Sequence, residues 1–307
     1  MSRVSTARGG ASRPLPTGEV HAFTAPDGWV LRCVEYAPEG ATRGVVIAGH
    51  AMMVDGRTLA REDRPSVASV LVERGFRVWV PDLRGRGMSG PTASEGGQWN
   101  YDDHVADVGV WVRAAREAYP DEPLHLLGHS LFGNASLAWL GQQTDAPVRT
   151  LALLCVDIWG RSREPRRWRW WVKRALFSLT EVLVRARGYL PARRLRAGTA
   201  DESAAYWAQF GQWMRRGTWQ RADGTVDYEA GVASVKVPTL HVLSRGDRLY
   251  AVPEAASRLT RALPRRTLKI VGRVGGRGPS PGHMTLVTDP RHRDLWAEIA
   301  AWIAARS

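Results

Sequence analysis

Leu124-His125-Leu126-Leu127-Gly128-His129-Ser130-Leu131-Phe132-Gly133 is a short apolar run that breaks at a glycine, presents a serine, and continues into a helical pattern reaching Gln142. A serine on a sharp strand-to-helix turn exposes its Oγ, and the pinched backbone there needs small neighbours. The start of the helix beyond it favours developing negative charge. Ser130 could also serve only as a helix N-cap, a position serine favours; the strand and the Gly-His before it point to an exposed nucleophile. Working outward, similar short apolar runs occur at Gly44 to Ala48, Phe76 to Val80, Leu151 to Val156, Leu240 to Leu243 and Leu268 to Val271. Helical periods lie between them, at Leu59 to Arg74, Asp103 to Tyr119, Pro253 to Ala262 and Asp289 to Ala304. In the last, Leu295, Trp296, Ile299, Trp302 and Ile303 share one helical face. Val20 to Tyr36 reads as a hairpin about Pro26-Asp27-Gly28. Buried strands alternating with amphipathic helices predict an α/β fold, a mostly parallel central sheet flanked by helices.

Ligands of such sheets bind beyond the carboxyl ends of the strands. Ser130 follows the Leu124 run, Gly246-Asp247-Arg248 follows the Leu240 run, and Gly282-His283-Met284 follows the Leu268 run across a glycine-rich loop. Serine, aspartate and histidine in this chain order, each after a different strand, suit a nucleophile-elbow hydrolase. Asp157, after the Leu151 run, is the alternative acid. His50-Ala51-Met52, after the Gly44 run, could aim a backbone N–H at the same place. Asp82 and Arg84 read as braces of their loop rather than chemical groups.

These segments together resemble the α/β-hydrolase-fold serine hydrolases, near the esterase, monoacylglycerol-lipase and lysophospholipase branch. Gly128-His129-Ser130-Leu131 resembles the family's elbow. Asp82-Leu83-Arg84-Gly85-Arg86-Gly87-Met88-Ser89 resembles its loop after the fourth strand. Gly246-Asp247 with Val252-Pro253 resembles the acid loop, and Gly282-His283 the histidine loop. The likeness covers residues 20 to 157 and 236 to 307. It implies carboxylic-ester cleavage through an acyl-enzyme, with Ser130 as nucleophile, His283 as base and Asp247 as the orienting acid. It also implies oxyanion donors in the backbone N–H groups of Met52 and Leu131, and no metal or organic cofactor. Serine at the elbow argues against epoxide hydrolases and haloalkane dehalogenases, which carry aspartate there. Two positions depart from the pattern: Phe132 stands where the family usually has glycine, and Ala51 replaces the glycine of its His-Gly. The alternative function is therefore a non-catalytic ligand- or membrane-binding protein on the same fold, its elbow impaired by Phe132.

Among 307 residues, 43 are Lys or Arg and 30 Asp or Glu, a net charge of +13. Residues 161–196 hold twelve basic and two acidic residues, so +10 of that charge lies in one segment, which is also rich in tryptophan. This composition shift predicts an Arg/Trp-rich helical lid at 158–235, inserted between the core parts 19–157 and 236–307, after a disordered tail at 1–18. The lid allows three readings: aromatic and aliphatic side chains facing the pocket with Arg facing water; a surface for anionic membranes; or a polyanion site. No nucleic-acid motif appears, so nucleic acid is not expected as a partner; a small apolar or anionic ester is. The positive field also argues against proline iminopeptidases, which bind a cationic amino terminus. Apolar content of 44% and 14 Trp exclude general disorder. Two cysteines, Cys33 and Cys155, exclude a disulfide scaffold and read as reduced core residues. Pro123 to Thr144, the longest stretch without charged residues, contains His125, Gly128, His129, Ser130, Gly133 and Asn134, too polar for a membrane span. Residues 1–18 carry no apolar signal segment, so a cytoplasmic location is expected, with peripheral membrane contact through the lid.

Overall fold

The structure, a computed structural model, describes residues 15–273 and 280–307. Most of the expected tail, and Gly275-Gly276-Arg277-Gly278 before His283, lie outside the described residues; Leu15 is buried against the core. The strands are β1 (Glu19–Thr24), β2 (Val30–Tyr36), β3 (Val45–Gly49), β4 (Arg77–Asp82), β5 (Leu124–His129), β6 (Thr150–Leu154), β7 (Tyr189–Leu190), β8 (Glu202–Ser203), β9 (Thr239–Ser244) and β10 (Arg266–Val271). The helices are α1 (Val67–Glu73), α2 (Tyr101–Ala118), α3 (Leu131–Leu140), α4 (Arg167–Arg187), α5 (Ala204–Arg216), α6 (Tyr228–Gly231), α7 (Pro253–Leu259), α8 (Thr285–Thr288) and α9 (Arg293–Ala304).

Eight strands form one sheet in the order β1-β2-β4-β3-β5-β6-β9-β10. β1 and β4 each pair antiparallel with β2, and all other pairs are parallel. β3, β5, β6 and β9 are buried along their whole length, which is why each reads as continuous apolar sequence rather than alternation. The Leu268 run differs: β10 is the edge strand, and no residue of it is fully buried. Successive residues face opposite sides. Leu126, with Trp111, Phe132 and Phe210, belongs to one core; Leu127, with Val46, Trp296 and Ile303, belongs to the other.

Two helices start later than their apolar periods suggest. α1 begins at Val67 because Pro65 disfavours helical backbone at Arg64 and Ser66 caps the helix, exchanging hydrogen bonds with Ser69. α9 begins at Arg293, after a 3-10 turn entered at Pro290. Residues 155–238, between β6 and β9, carry α4, β7, β8, α5 and α6. This inserted segment is tied to α2: Gln209 accepts from Tyr101 N (2.9 Å) and donates to Asp102 (2.7 Å).

Phe132 has an evident accommodation. Its ring is fully buried and lies under β3, where a Cβ on Gly49 would stand 2.0 Å from it. The residue that pairs with Phe132 across the fold is thus a glycine more than eighty positions upstream. Gly49→Ala should overpack this contact and lower stability by about 1–3 kcal/mol, with Phe132→Leu recovering part of the loss. Thermal melts of the three proteins check this; an unchanged Tm in Gly49→Ala contradicts the packing described.

Candidate active site

Ser130 holds φ 52° and ψ −108°, a conformation that costs a non-glycine residue about 1–3 kcal/mol. Neighbouring contacts hold it there. Its N–H donates to Leu154 O (3.0 Å), its carbonyl accepts from Asn134 N (3.0 Å), and Phe132 N donates to His50 O (3.3 Å). The turn is tight enough that a Cβ on Gly128 would meet Gly133 Cα at 2.3 Å. The small residue this elbow needs thus stands three positions after the serine, and Phe132 does not line the cavity that Ser130 faces.

Asp247 sits in the turn after β9. Its carboxylate accepts from the N–H groups of Tyr250 (2.9 Å) and Ala251 (2.9 Å) and from His283 Nδ1 (2.6 Å). Burial alone would raise its pKa; the hydrogen bond and charge of His283, with those backbone donors, outweigh it and hold the carboxyl below its ordinary range. With Nδ1 donating to Asp247, Nε2 of a neutral His283 is the acceptor nitrogen. The histidine loop is anchored from two sides: Ser244 Oγ donates to Pro281 O (2.5 Å), and His129 Nε2 donates to His283 O (3.0 Å). The His283 ring packs between Tyr250 (4.8 Å) and His129 (5.0 Å between centroids).

Met52 and Leu131 line the same cavity as Ser130 and His283, and neither backbone N–H has an acceptor among the described residues. His50 sets the Met52 donor. Its Nε2 accepts from Leu83 N (3.1 Å), so Nδ1 carries the proton and donates to Ala51 O (2.7 Å), the carbonyl of the peptide that bears the Met52 N–H. Burial pushes the His50 pKa down to about 3, so the ring stays neutral in this role. φ is positive at Met53 but not at Ala51, so the alanine replacing glycine there is unstrained.

Tyr206, Phe210 and Trp213, one face of α5, roof the cavity together with Trp159 and Tyr250. Its free volume is about 40 Å³, room for about three waters. Asn134 and Asp157 are its polar lining besides Ser130, His283 and the tyrosines; the Asn134 Oδ1 is buried without a partner. Asp157, the alternative acid, is not bonded to His283. It accepts from Ile158 N (2.9 Å) and lies 3.9 Å from the buried Lys173 Nζ, which also pairs with Glu164 (3.1 Å). Cys155 Sγ, Asp247 and His283 bring three metal-type ligand atoms within 4.8 Å. The last two are already bonded to each other, and burial and the Asp247 charge raise the Cys155 thiol well above its usual range, so this set favours the hydrogen-bonded pair over a cation.

A family model described as serine aminopeptidase, S33 matches residues 49–274. The chain belongs to this hydrolase family. The match includes Ser130 and Asp247 and ends before His283. A phospholipase of Bacillus subtilis (strain 168), YtpA, is 30% identical over 79 residues, 26% of this chain and under a third (29%) of that protein's length. An esterase from Exiguobacterium antarcticum superposes with a TM-score of 0.64 at 17% identity, over 92% of this chain and 98% of the other. A bacterial membrane phospholipase A superposes with a TM-score of 0.60 at 19% identity, over 92% and 87%. These likenesses establish the α/β-hydrolase fold.

Sequence reading passed over Asn134 and the ring of Tyr250, and gave His129 no role of its own. Asn134 lies one turn beyond Ser130, a spacing that places both on one helical face; the other two act through contacts that only the fold creates. Burial, opposed by the charges of Lys173 and Arg163, raises Asp157 to about 7. Its contribution to stability is therefore complete below its unfolded pKa, about 4, and is lost as pH rises through about 7. Asp157→Asn should remove that slope, so the Tm of the variant relative to wild type should climb between pH 5 and pH 8; a constant difference contradicts the assignment.

Proposed function

We propose that the protein hydrolyses carboxylic esters through an acyl-enzyme on Ser130. The observation that carries this reading is His283, held by a 2.6 Å hydrogen bond to Asp247, lining one cavity with a strained serine and two residues whose backbone N–H groups have no acceptor among the described residues. Ser130 Oγ attacks the acyl carbonyl while His283 Nε2 takes its proton. Asp247 keeps the imidazole in the required tautomer and stabilises the imidazolium. The N–H groups of Met52 and Leu131 receive the oxyanion, each donor worth about 10²–10³ in rate. His283 returns the proton to the leaving alkoxide; water, deprotonated by the same nitrogen, then releases the acid and regenerates Ser130. No step needs a metal or organic cofactor. Phe132 lies beneath β3, which counts against an elbow blocked by it.

The family description names an aminopeptidase. A substrate ammonium would need an unopposed carboxylate, and Asp157 already faces Lys173, which favours esters over amino-terminal amines. The aromatic roof suits an apolar acyl group, and with so little free volume a long chain enters only when α5 side chains withdraw. Ser130→Ala and His283→Ala should each lower p-nitrophenyl ester turnover at least about 10⁴-fold while remaining folded, and Ser130→Ala should abolish fluorophosphonate labelling. Wild-type protein that labels nowhere and turns over no ester, or prefers aminoacyl anilides, sinks the reading.

The inserted segment, read here as the lid, has a face suited to a membrane. Of the lid's cations, Arg169 and Lys173 turn inward onto Glu164, whereas Trp168, Trp171, Val172, Leu176, Leu179 and Val182 of α4 point outward. Carboxylates draw in Arg163, Arg169 and Lys173, while Arg161, Arg166, Arg167, Arg185 and Arg187 stay exposed, so α4 presents its apolar stripe to the outside alongside arginines. Trp171 and Leu179 are 62% and 63% exposed. On the helix the stripe is flanked by Arg167, Arg174 and Arg185, the pattern of a helix lying in an anionic interface. No helix among the described residues is long and apolar enough to cross a membrane. The protein should co-sediment with phosphatidylglycerol vesicles, less so at high salt. Trp171→Glu/Leu179→Glu should abolish this while leaving hydrolysis of a water-soluble ester unchanged. Equal binding to neutral and anionic vesicles removes the charge argument.

A further inference from the structure

The inserted segment also reaches into the oxyanion loop. Met53, next to the Met52 donor, holds a left-handed φ of 60°, which a non-glycine residue keeps only when its surroundings enforce it. The backbone partners of Met53 all belong to the inserted segment. Its N–H donates to Glu202 Oε1 (2.9 Å), and its carbonyl accepts from the N–H groups of Thr199 (2.8 Å) and Ala200 (2.9 Å). Gly198 makes room for this approach, since a Cβ there would stand 2.1 Å from Met53 O. Glu202 is fully buried, and the same Oε1 is paired with the guanidinium of Arg86, also fully buried, in the loop after β4. Arg86 is itself fixed: Nη1 donates to Arg84 O (2.8 Å), and the guanidinium lies 5.6 Å from the centroid of the Trp99 ring.

We infer that Glu202, backed by Arg86, is a positioning residue for the Met52 oxyanion donor. The inserted segment then does more than roof the cavity, because it completes half of the oxyanion site. The inference rests on the ester-hydrolase reading. The peptide carrying the Met52 N–H is gripped from the core side by His50 and, one residue on, from the inserted segment by Glu202. A carboxylate is a stronger acceptor for a backbone N–H than a neutral oxygen, and Arg86 compensates the charge that this places in the interior. Glu202 stands directly before Ser203, whose hydroxyl caps α5. Movement of α5 away from the cavity therefore pulls on the residue that holds the oxyanion loop, so the donor is in place only when the roof is.

Two variants test this without leaving an orphan charge in the core. Arg86→Met/Glu202→Leu replaces both ions by apolar groups of similar length. Gly198→Ala pushes on Met53 O with the ion pair intact. With p-nitrophenyl acetate, each folded variant should lose kcat by about 100-fold, the cost of a misplaced group. KM should stay within about twofold, because the lost contact is made in the transition state. Affinity for a boronic acid, which forms a tetrahedral adduct on Ser130, should fall in proportion to kcat. Glu202→Gln, whose amide oxygen can still accept from Met53, should retain kcat within about tenfold. If the double variant does not fold, Gly198→Ala decides alone. Wild-type kcat and boronate affinity in the folded variants, or a loss confined to KM, overturns the inference. A wild-type enzyme inert toward every ester and unlabelled at Ser130 would overturn the hydrolase reading first, and this inference with it.

Discussion

The backbone of Ser130 is the constraint from which the site follows. A serine at φ 52° survives only where packing over-determines it, and two chain segments meet at van der Waals limits to do so. Gly128 and Gly133 touch backbone to backbone, and Phe132 fills the space beneath Gly49. The buried central strands β3, β5 and β6 make this affordable, since the ladder hydrogen bonds and apolar burial on both faces fix the turn between β5 and α3. Once the turn is fixed, Ser130 and Leu131 line one cavity, the loop after β10 brings His283 to it, and the loop after β9 holds Asp247 against His283.

The inserted segment shows how charge and burial compete. Its Arg-rich composition reads as a solvated or polyanion-binding surface, yet Arg163, Arg169 and Lys173 are consumed by Glu229, Glu164 and Asp157. Outside on α4 an apolar stripe stands beside the exposed Arg167, Arg185 and Arg187 and the half-buried Arg174. The inner layer is α5: Trp207 and Phe210 pack on Phe177 of α4, and Tyr206, Phe210 and Trp213 roof the cavity. Through Glu202 the segment also bears on Met53, which ties it to the loop after β3.

Much of this was legible in the chain because the chemistry follows strand ends. Ser130 and Asp247 come shortly after an apolar run and His283 follows one across a longer loop, and a buried parallel strand announces itself by composition. Helix starts were less legible: Pro65 and Pro290 delay α1 and α9 although the apolar period runs through them. Pairings distant in sequence could not be read at all. Nothing local says that Phe132 lies under Gly49, that Lys173 is buried against Glu164, or that Glu202 holds Met53. Each depends on which elements the sheet order brings together, and none carries a motif.

We propose above all that Ser130 becomes transiently acylated. Rapid acid quench of the enzyme mixed with p-nitrophenyl acetate, followed by peptide mass spectrometry, tests it most directly. One acetyl group on the peptide containing Ser130, absent from a Ser130→Ala control, is the predicted result. Turnover without any adduct, or an adduct on Cys155 or another side chain in place of Ser130, would contradict it.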